Sequence, residues 1–434
     1  MKRWIIMAAC LLLTIVGQNQ LAEASAAAVK PQPITQSLEQ AATDRPLLSW
    51  SLVPGSASYE VEFLEKMPEN PNASDASKYR LRAVRDIFTL GYQADLSDYP
   101  GKAVYWRVRG LTLDGRPVGV FSDAQKITLQ HGRITLLRPT LTARFNEAGQ
   151  ATPLYPVYAW IPVPGAYAYE VEVLDQAPEA TEEDSTAASS HRIWRKRVEG
   201  YDCYDDVARI RPGVYYWRVR GLDALGGPIG GFSSTGQFRV DLSQAVYAAT
   251  LGDSITHGGG DVSYSPADRE YCYQTYLDFP TVNLGRSGDT ARQILNRFEA
   301  DVVPYHPQNL IILAGTNSLR DGVNADTVIR ELTALRQKCL NWGIRPIFLT
   351  LPPLNPTLIA QVSESSTARN WRSEYDKVNR FILSQPYCID IAPSLSDEKG
   401  WLPEEYAMDG LHPGVEAKKI MARIINENWS RVSQ

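Results

Sequence analysis

Tyr247-Ala248-Ala249-Thr250-Leu251-Gly252-Asp253-Ser254-Ile255-Thr256 is an apolar run of strand length that ends in a glycine, an aspartate and a serine. Such a run reads as a central strand buried on both faces, and the small polar residues after it read as the turn into a helix. Working outward, Thr281 to Leu284, Leu310 to Leu313, Ile347 to Leu351 and Cys388 to Ile391 are further short apolar runs. Helical periods separate them. Val328, Leu332, Leu335 and Cys339 recur at helical spacing before Gly343, as do Trp371, Tyr375, Val378 and Ile382 before Pro386. Val415 to Trp429 reads as a closing amphipathic helix. The alternation predicts a three-layer α/β domain over residues 242–434, with a five-stranded parallel sheet and its ligands at the carboxyl ends of the strands.

Three short blocks fall at such strand ends, and a fourth lies before the last helix. They are Leu251-Gly252-Asp253-Ser254, then Asn283-Leu284-Gly285-Arg286-Ser287-Gly288-Asp289-Thr290, Leu313-Ala314-Gly315-Thr316-Asn317 and Met408-Asp409-Gly410-Leu411-His412-Pro413. An aspartate and a histidine three positions apart can share one loop. One imidazole nitrogen then goes to the carboxylate and the other to a serine brought in by the fold, the arrangement of an acyl hydrolase.

The order serine, glycine, asparagine, histidine resembles the SGNH hydrolases, also called GDSL esterases and lipases, from about Val246 to the end of the chain. Four ordered motifs are far more specific than one. The resemblance implies Ser254 as nucleophile, His412 as general base and Asp409 as its orienting partner. It also implies an oxyanion hole made by the backbone N–H groups of Ser254 and Gly288 and the amide of Asn317. It calls for no metal and no cofactor. Taken singly, Ser254 could be a helix cap and Asp409 a turn residue; together the residues favour catalysis. Asp253 is expected to brace the nucleophile turn through the backbone, Asp289 to cap a helix, Ser287 to be a neighbour on the loop, and His257 to wall the pocket. Arg286, bulky for its block, reads as a solvated side chain. Tyr264, Tyr271, Tyr273 and Tyr276 are expected at the pocket rim, either stacking on sugar rings or packing. The absence of a Gly-x-Ser-x-Gly elbow disfavours the α/β-hydrolase fold.

The first half of the chain repeats itself. Leu48-Ser49-Trp50 with Ser58-Tyr59-Glu60-Val61-Glu62-Phe63-Leu64 returns as Tyr158-Ala159-Trp160 with Ala168-Tyr169-Glu170-Val171-Glu172-Val173-Leu174, and Val104-Tyr105-Trp106-Arg107-Val108-Arg109-Gly110 returns as Tyr215-Tyr216-Trp217-Arg218-Val219-Arg220-Gly221. A unit of about 110 residues with alternating strands is the size of one immunoglobulin-like sandwich, and the two tandem all-β copies, 27–131 and 132–241, resemble fibronectin type III modules. Alternation puts the repeated Trp in the core and Glu60, Glu62, Arg107 and Arg109 toward solvent. Met67 to Lys78 and Ala177 to Ser190 read as long exposed loops. A spacer or positioning role is favoured over glycan binding, for which Tyr201 and Tyr204 are the best candidate platform.

With 434 residues there is length for two or three cores, and a net charge of -5 without a basic run gives no reason to expect nucleic acid or an anionic membrane as partner. Lys2 and Arg3, an apolar stretch from Trp4 to Val16 and a small-residue run read as a signal peptide over residues 1–26. That stretch is shorter than the roughly 20 residues that span a bilayer, so no stable membrane anchor is expected. A secreted, cell-surface or periplasmic protein follows; of Cys203, Cys272, Cys339 and Cys388 the last three lie in the catalytic region, where export permits one disulfide, although Cys339 suits a buried hydrophobe. Lipidation at Cys10 is disfavoured because the apolar stretch continues beyond it. The expected substrate is a short O-acyl ester, acetyl above all, on extracellular or cell-wall carbohydrate, with glycan or cell-wall contact through the first two modules a further option. A lysophospholipase or short-chain lipid esterase is the enzymatic alternative, and an inactive glycan-binding or adhesion protein is the alternative of another class.

Overall fold

The computed structural model describes residues 29–99, 103–129, 136–179, 186–242, 246–260, 262, 264–363 and 367–434. The signal peptide expected over residues 1–26, with Cys10, lies outside them.

The repeated half of the chain forms two strand-rich modules. In the first, Ser58–Leu64 pairs antiparallel with Ala103–Leu111, Val61 opposite Val108 and Phe63 opposite Trp106. In the second, Ala168–Leu174 pairs with Gly213–Leu222, Val171 opposite Val219 and Val173 opposite Trp217. Each larger sheet shares a core with a smaller one: Leu48 and Trp50 join Phe63 and Trp106, and Tyr158 and Trp160 join Val173 and Trp217. The repeated Trp50, Trp106, Trp160 and Trp217 are all buried.

The charged faces of these strands do not look into water. Glu60, Glu62, Arg107 and Arg109 are buried. Arg107 Nε lies 2.6 Å from Glu62 Oε2 and Arg109 Nη2 lies 2.7 Å from Glu60 Oε2. The Met67 to Lys78 segment folds over them: Arg107 donates to the carbonyls of Pro71 (2.8 Å) and Asp75 (2.9 Å), and Arg109 to that of Ser74. Phe121 lies beneath both guanidinium groups. The second copy repeats the device, with Arg218 on Glu172 and on the carbonyl of Ala187, and Phe232 beneath. Strand alternation tells which face a side chain takes but not what later covers that face; charges survive there because they are paired and hydrogen-bonded.

The third unit is the α/β domain. Its strands are β1 (Ala248–Gly252), β2 (Thr281–Asn283), β3 (Asn309–Leu313), β4 (Arg345–Leu349) and β5 (Cys388–Ile389), all parallel, in the order β2-β1-β3-β4-β5. Its helices are α1 (Ser254–His257), α2 (Ala291–Asp301), α3 (Thr316–Arg320), α4 (Ala325–Asn341), α5 (Pro356–Val362), α6 (Trp371–Leu383) and α7 (Val415–Ser433). Val328, Leu332, Leu335 and Cys339 of α4 are all buried, as their period requires. The chain leaves β1 to one side for β2 and crosses to the other for β3, so a crevice opens beyond the carboxyl ends of these strands.

Both modules pack on this domain. Leu154 and Tyr155, from the second module, belong to the α/β core, and Ala57 of the first packs with Tyr264, Tyr271 and Met408. Cys203, Cys272, Cys339 and Cys388 are all free, so the disulfide that export would permit does not form, while Cys339 is the buried hydrophobe expected. Among the described residues no helix is long and apolar enough to cross a membrane, and no group of acidic, histidine and cysteine side chains could hold a metal ion.

Candidate active site

Ser254 opens α1 directly after β1. Gly252, the last residue of β1, has no room for a side chain: a Cβ there would lie 2.4 Å from the Leu313 carbonyl oxygen. Asp253 caps the helix, its Oδ1 accepting from the Ile255 N–H at 3.0 Å, and Gly258 closes it at φ 113° with its N–H on the Ser254 carbonyl. Asp253 thus braces the turn through the backbone, as its place in the sequence suggests.

The histidine arrives on the loop before α7. His412 Nε2 lies 2.8 Å from Ser254 Oγ, and His412 Nδ1 lies 2.7 Å from Asp409 Oδ2. The other oxygen, Asp409 Oδ1, accepts from the N–H groups of Leu411 (2.9 Å) and His412 (2.8 Å). Burial alone would raise the Asp409 carboxyl, but the charge and hydrogen bond of His412 and the two backbone donors together hold it below its usual value. An ionised carboxylate only accepts, so Nδ1 carries the proton and Nε2 presents a lone pair to the Ser254 hydroxyl. That arrangement can take a proton from Ser254 and return it to a leaving group.

The second block forms a turn between β2 and α2, closed by the Asp289 N–H on the Arg286 carbonyl at 3.3 Å. Gly288 is its third residue, at φ 84°, a conformation that favours glycine, and a Cβ on it would meet open space. Asn317 stands in the first turn of α3 and donates its amide to the Asp289 carbonyl at 3.0 Å, tying the second and third blocks together. Ser254, His412 and Asp409 are therefore in one hydrogen-bonded chain, and Gly288 and Asn317 share the loop system beside it.

Other expectations need correction. Asp289 is not the cap of α2: Thr290 is, in a capping box with Gln293, while Asp289 accepts from Arg297 at 2.6 Å. His257 borders a cleft, with Asn146, Pro266 and Asn283, whose lining includes none of Ser254, Gly288, Asn317 and His412; it is 1% exposed, and burial pushes its imidazole down to about 4. Of the two roles open to the tyrosines, Tyr264, Tyr271 and Tyr273 take packing, buried and away from any rim; Tyr264 and Tyr271 stack at 4.5 Å under the first module, and Tyr276 is only partly exposed. Tyr201 stacks on Phe88 and Tyr204 meets His257 edge-on, so the two do not form an open platform. Arg286 is exposed as expected, with its guanidinium over the Tyr155 ring.

Two charged residues that support the site escaped the sequence reading. Arg297 is buried and joins Asp289, Asp301 and the carbonyls of Leu284 (2.8 Å) and Gly252 (3.0 Å), so one side chain gathers the nucleophile strand and the glycine loop. Lys418, also buried, donates to the Ile255 carbonyl of α1, and burial lowers its ammonium to about 8. The available signal was phase: Arg297 falls among Ile294, Phe298 and Asp301, and Lys418 among Met421, Ala422 and Ile425, on the buried sides of their helices.

Residues 250–420 match the GDSL-like Lipase/Acylhydrolase family. The C-terminal region is therefore a GDSL/SGNH acylhydrolase domain, and the protein carries an ester-hydrolysing enzyme within it. Among solved structures, a GDSL-like lipase from Bacteroides thetaiotaomicron is similar at 19% identity over 42% of this chain and 87% of its own, with a TM-score of 0.34. A lipase/acylhydrolase from Enterococcus faecalis matches at 20% over 43% and 96%, TM-score 0.34. An acetylxylan esterase from Geobacillus stearothermophilus matches at 21% over 42% and 92%, TM-score 0.32. No curated protein matches the chain.

Proposed function

We propose that this domain is a serine esterase for short O-acyl esters, acetyl above all, carried by extracellular or cell-wall carbohydrate. The observation that carries the chemistry is the unbroken chain from Asp409 through His412 to Ser254, at 2.7 and 2.8 Å. In this reading Ser254 attacks the acyl carbon and His412 takes its proton. The oxyanion is received by the N–H groups of Ser254 and Gly288 and by the Asn317 amide. His412 then protonates the departing sugar oxygen, which leaves as the hydroxyl, and a water deprotonated by the same nitrogen attacks the acyl carbon and releases the acid as the proton returns to Ser254 Oγ. The preference for a small acyl group on a polar carrier rests on two observations: Ser254 is recessed at 8% exposure, and Arg286, Ser287, Gly288 and Asn317, the residues of the second and third blocks that reach the surface, are polar or lack a side chain.

The two strand-rich modules are read as immunoglobulin-like sandwiches of the fibronectin type III kind over 27–131 and 132–241, ahead of a catalytic domain over 242–434. Residues 1–26 are read as an export leader because Lys2 and Arg3 precede an apolar run and a small-residue stretch. The test compares wild type with Ser254→Ala on p-nitrophenyl acetate, butyrate and octanoate, together with acetate release from acetylated xylan and peptidoglycan. Turnover of acetate esters and of a polymer by wild type alone is the expected result. Preference for octanoate would replace the carbohydrate reading by a lipid ester, and no turnover of any substrate would overturn the enzymatic one.

A further inference from the structure

The helix that carries Ser254, α1, is one turn long and uses few of its own carbonyls. The His257 N–H takes the Asp253 carbonyl (2.9 Å) and the Gly258 N–H takes that of Ser254 (2.8 Å), which leaves the carbonyls of Ile255, Thr256 and His257 to donors from elsewhere. Asn283 Nδ2 reaches Thr256 and His257, each at 3.1 Å, and Gln274 Nε2 reaches Thr256 at 2.9 Å. The carbonyl next to the nucleophile, that of Ile255, accepts from Lys418 Nζ.

Lys418 differs from the other two donors in charge and in origin. It is 1% exposed, yet its acceptor is a neutral carbonyl. Burying an ammonium on such a partner costs stability that an apolar side chain of the same length would not, so packing alone gives no reason for it. It also comes from the histidine's side of the site. His412 is followed by Pro413 and Gly414; the Gly414 N–H closes the loop on the Tyr406 carbonyl at 2.6 Å, and the Gly414 carbonyl receives the Lys418 N–H at 2.9 Å in the first turn of α7. His412 and Lys418 therefore ride on one hydrogen-bonded segment, and Ser254 and Ile255 are neighbours on another. These segments meet through Ser254 Oγ and His412 Nε2 at 2.8 Å, and again through the Ile255 carbonyl and Lys418 Nζ.

The first of those contacts is consumed by the reaction. Once Ser254 Oγ carries the acyl group its proton has gone to the leaving group, and His412 Nε2 must turn to a water. The second contact involves no reacting atom and lasts through both half-reactions.

We propose that Lys418 is a positioning residue for acyl transfer: it ties the nucleophile turn to the histidine segment, so that Ser254 Oγ and His412 Nε2 keep their separation while the bond between them is broken and remade. This rests on the reading of Ser254 as nucleophile and His412 as base.

The test uses the full chain with Lys418→Met, which keeps the length of the side chain and removes its donors. Gln274→Met removes a donor to the same helix from a segment that does not carry the histidine, and Ser254→Ala is the reference for the nucleophile. Diethyl p-nitrophenyl phosphate, which phosphorylates an active serine and releases one p-nitrophenol, counts competent sites by its burst amplitude. Expected for Lys418→Met is a kcat per competent site on p-nitrophenyl acetate roughly 10- to 100-fold lower at a KM within about twofold, the scale of a misplacement of about 1 Å. Gln274→Met, in which Asn283 still holds the Thr256 carbonyl, should stay within about threefold of wild type. Wild-type kcat per site in Lys418→Met overturns the proposal, and so does a loss confined to KM. Equal losses in the two variants overturn it as well, because any donor to α1 would then serve. A Lys418→Met chain with no competent sites would make Lys418 a folding residue and not a positioning one. Activity surviving Ser254→Ala would instead defeat the nucleophile assignment, a failure read independently of the other two variants.

Discussion

Replacing Asp409 by Asn should disable the histidine without moving it. The side chain has two different duties: Oδ1 accepts from the N–H groups of Leu411 and His412, and Oδ2 accepts from His412 Nδ1. An asparagine must divide one oxygen and one NH2 between them. Placing NH2 against two backbone N–H groups would leave buried donors facing each other, each unmet donor costing about 1–3 kcal/mol. The oxygen therefore stays with the backbone and NH2 turns to His412, which must offer a bare Nδ1 and move its proton to Nε2. Nε2 then faces Ser254 with a hydrogen and cannot accept the hydroxyl proton. A wrong tautomer of this kind lowers kcat about 10⁴-fold, or about 5 kcal/mol of transition-state stabilisation. Asp409 is buried, so KM should stay within about twofold, and the p-nitrophenol burst from diethyl p-nitrophenyl phosphate, which phosphorylates an active serine, should become too slow to resolve. The assay is steady-state hydrolysis of p-nitrophenyl acetate beside a melting curve. A kcat within tenfold of wild type, in a variant with an unchanged melting temperature, would refute the tautomer argument.

Asp253→Asn tests the buried carboxyl beside the nucleophile. Burial raises Asp253 to about 6 from 3.8, so the native state holds a proton that the unfolded chain has released; the associated stability is complete below about pH 4 and is lost as pH rises through 6. Asparagine keeps an acceptor for the Ile255 N–H, so the variant should gain up to about 3 kcal/mol over wild type at pH 8 and lose that advantage by pH 4, as read by urea unfolding at both values. An advantage that does not change with pH would contradict the assignment. Glu62→Gln strips the charge partner from Arg107, which is 1% exposed, and should cost about 3–5 kcal/mol in urea unfolding, whereas the joint change Glu62→Leu with Arg107→Met should cost much less. Equal losses for the single and joint changes would show the pair to be unimportant. Gly410→Ala places a Cβ 2.4 Å from the Asn355 carbonyl at φ 72°, and should lower both stability, by at least about 1–3 kcal/mol, and kcat, because the strain sits between Asp409 and His412. A melting temperature and kcat equal to wild type would mean that the loop relaxes freely.

Much of the α/β domain was legible because parallel strands covered on both faces must be apolar throughout. Each of the five runs, from Tyr247 to Ile391, overlaps an observed strand. The blocks ending in Ser254, Gly288 and Asn317 were legible for a related reason: they follow strands whose carboxyl ends open on the same crevice. Asp409 and His412 were readable as a pair because three residues of loop suffice to join them, and that contact is local.

Contacts made by covering surfaces were not legible in this way. Nothing near Glu62 or Arg107 says that the Met67 to Lys78 segment will fold back over them, since its carbonyls find those guanidinium groups only after the sheet exists. Nothing near His257 says that its ring will be clasped by a carbonyl 102 residues earlier in the chain and by Ser287, 30 residues later. The sequence by itself determined the alternating strands and helices, the repeated strand units and the order of the chemical blocks, because periodicity and short-range turns act between near neighbours. Only the tertiary structure decided which charges are buried, which tyrosines are enclosed and that the second module backs the glycine loop, because hydrogen bonds between distant segments form only once packing has brought them together.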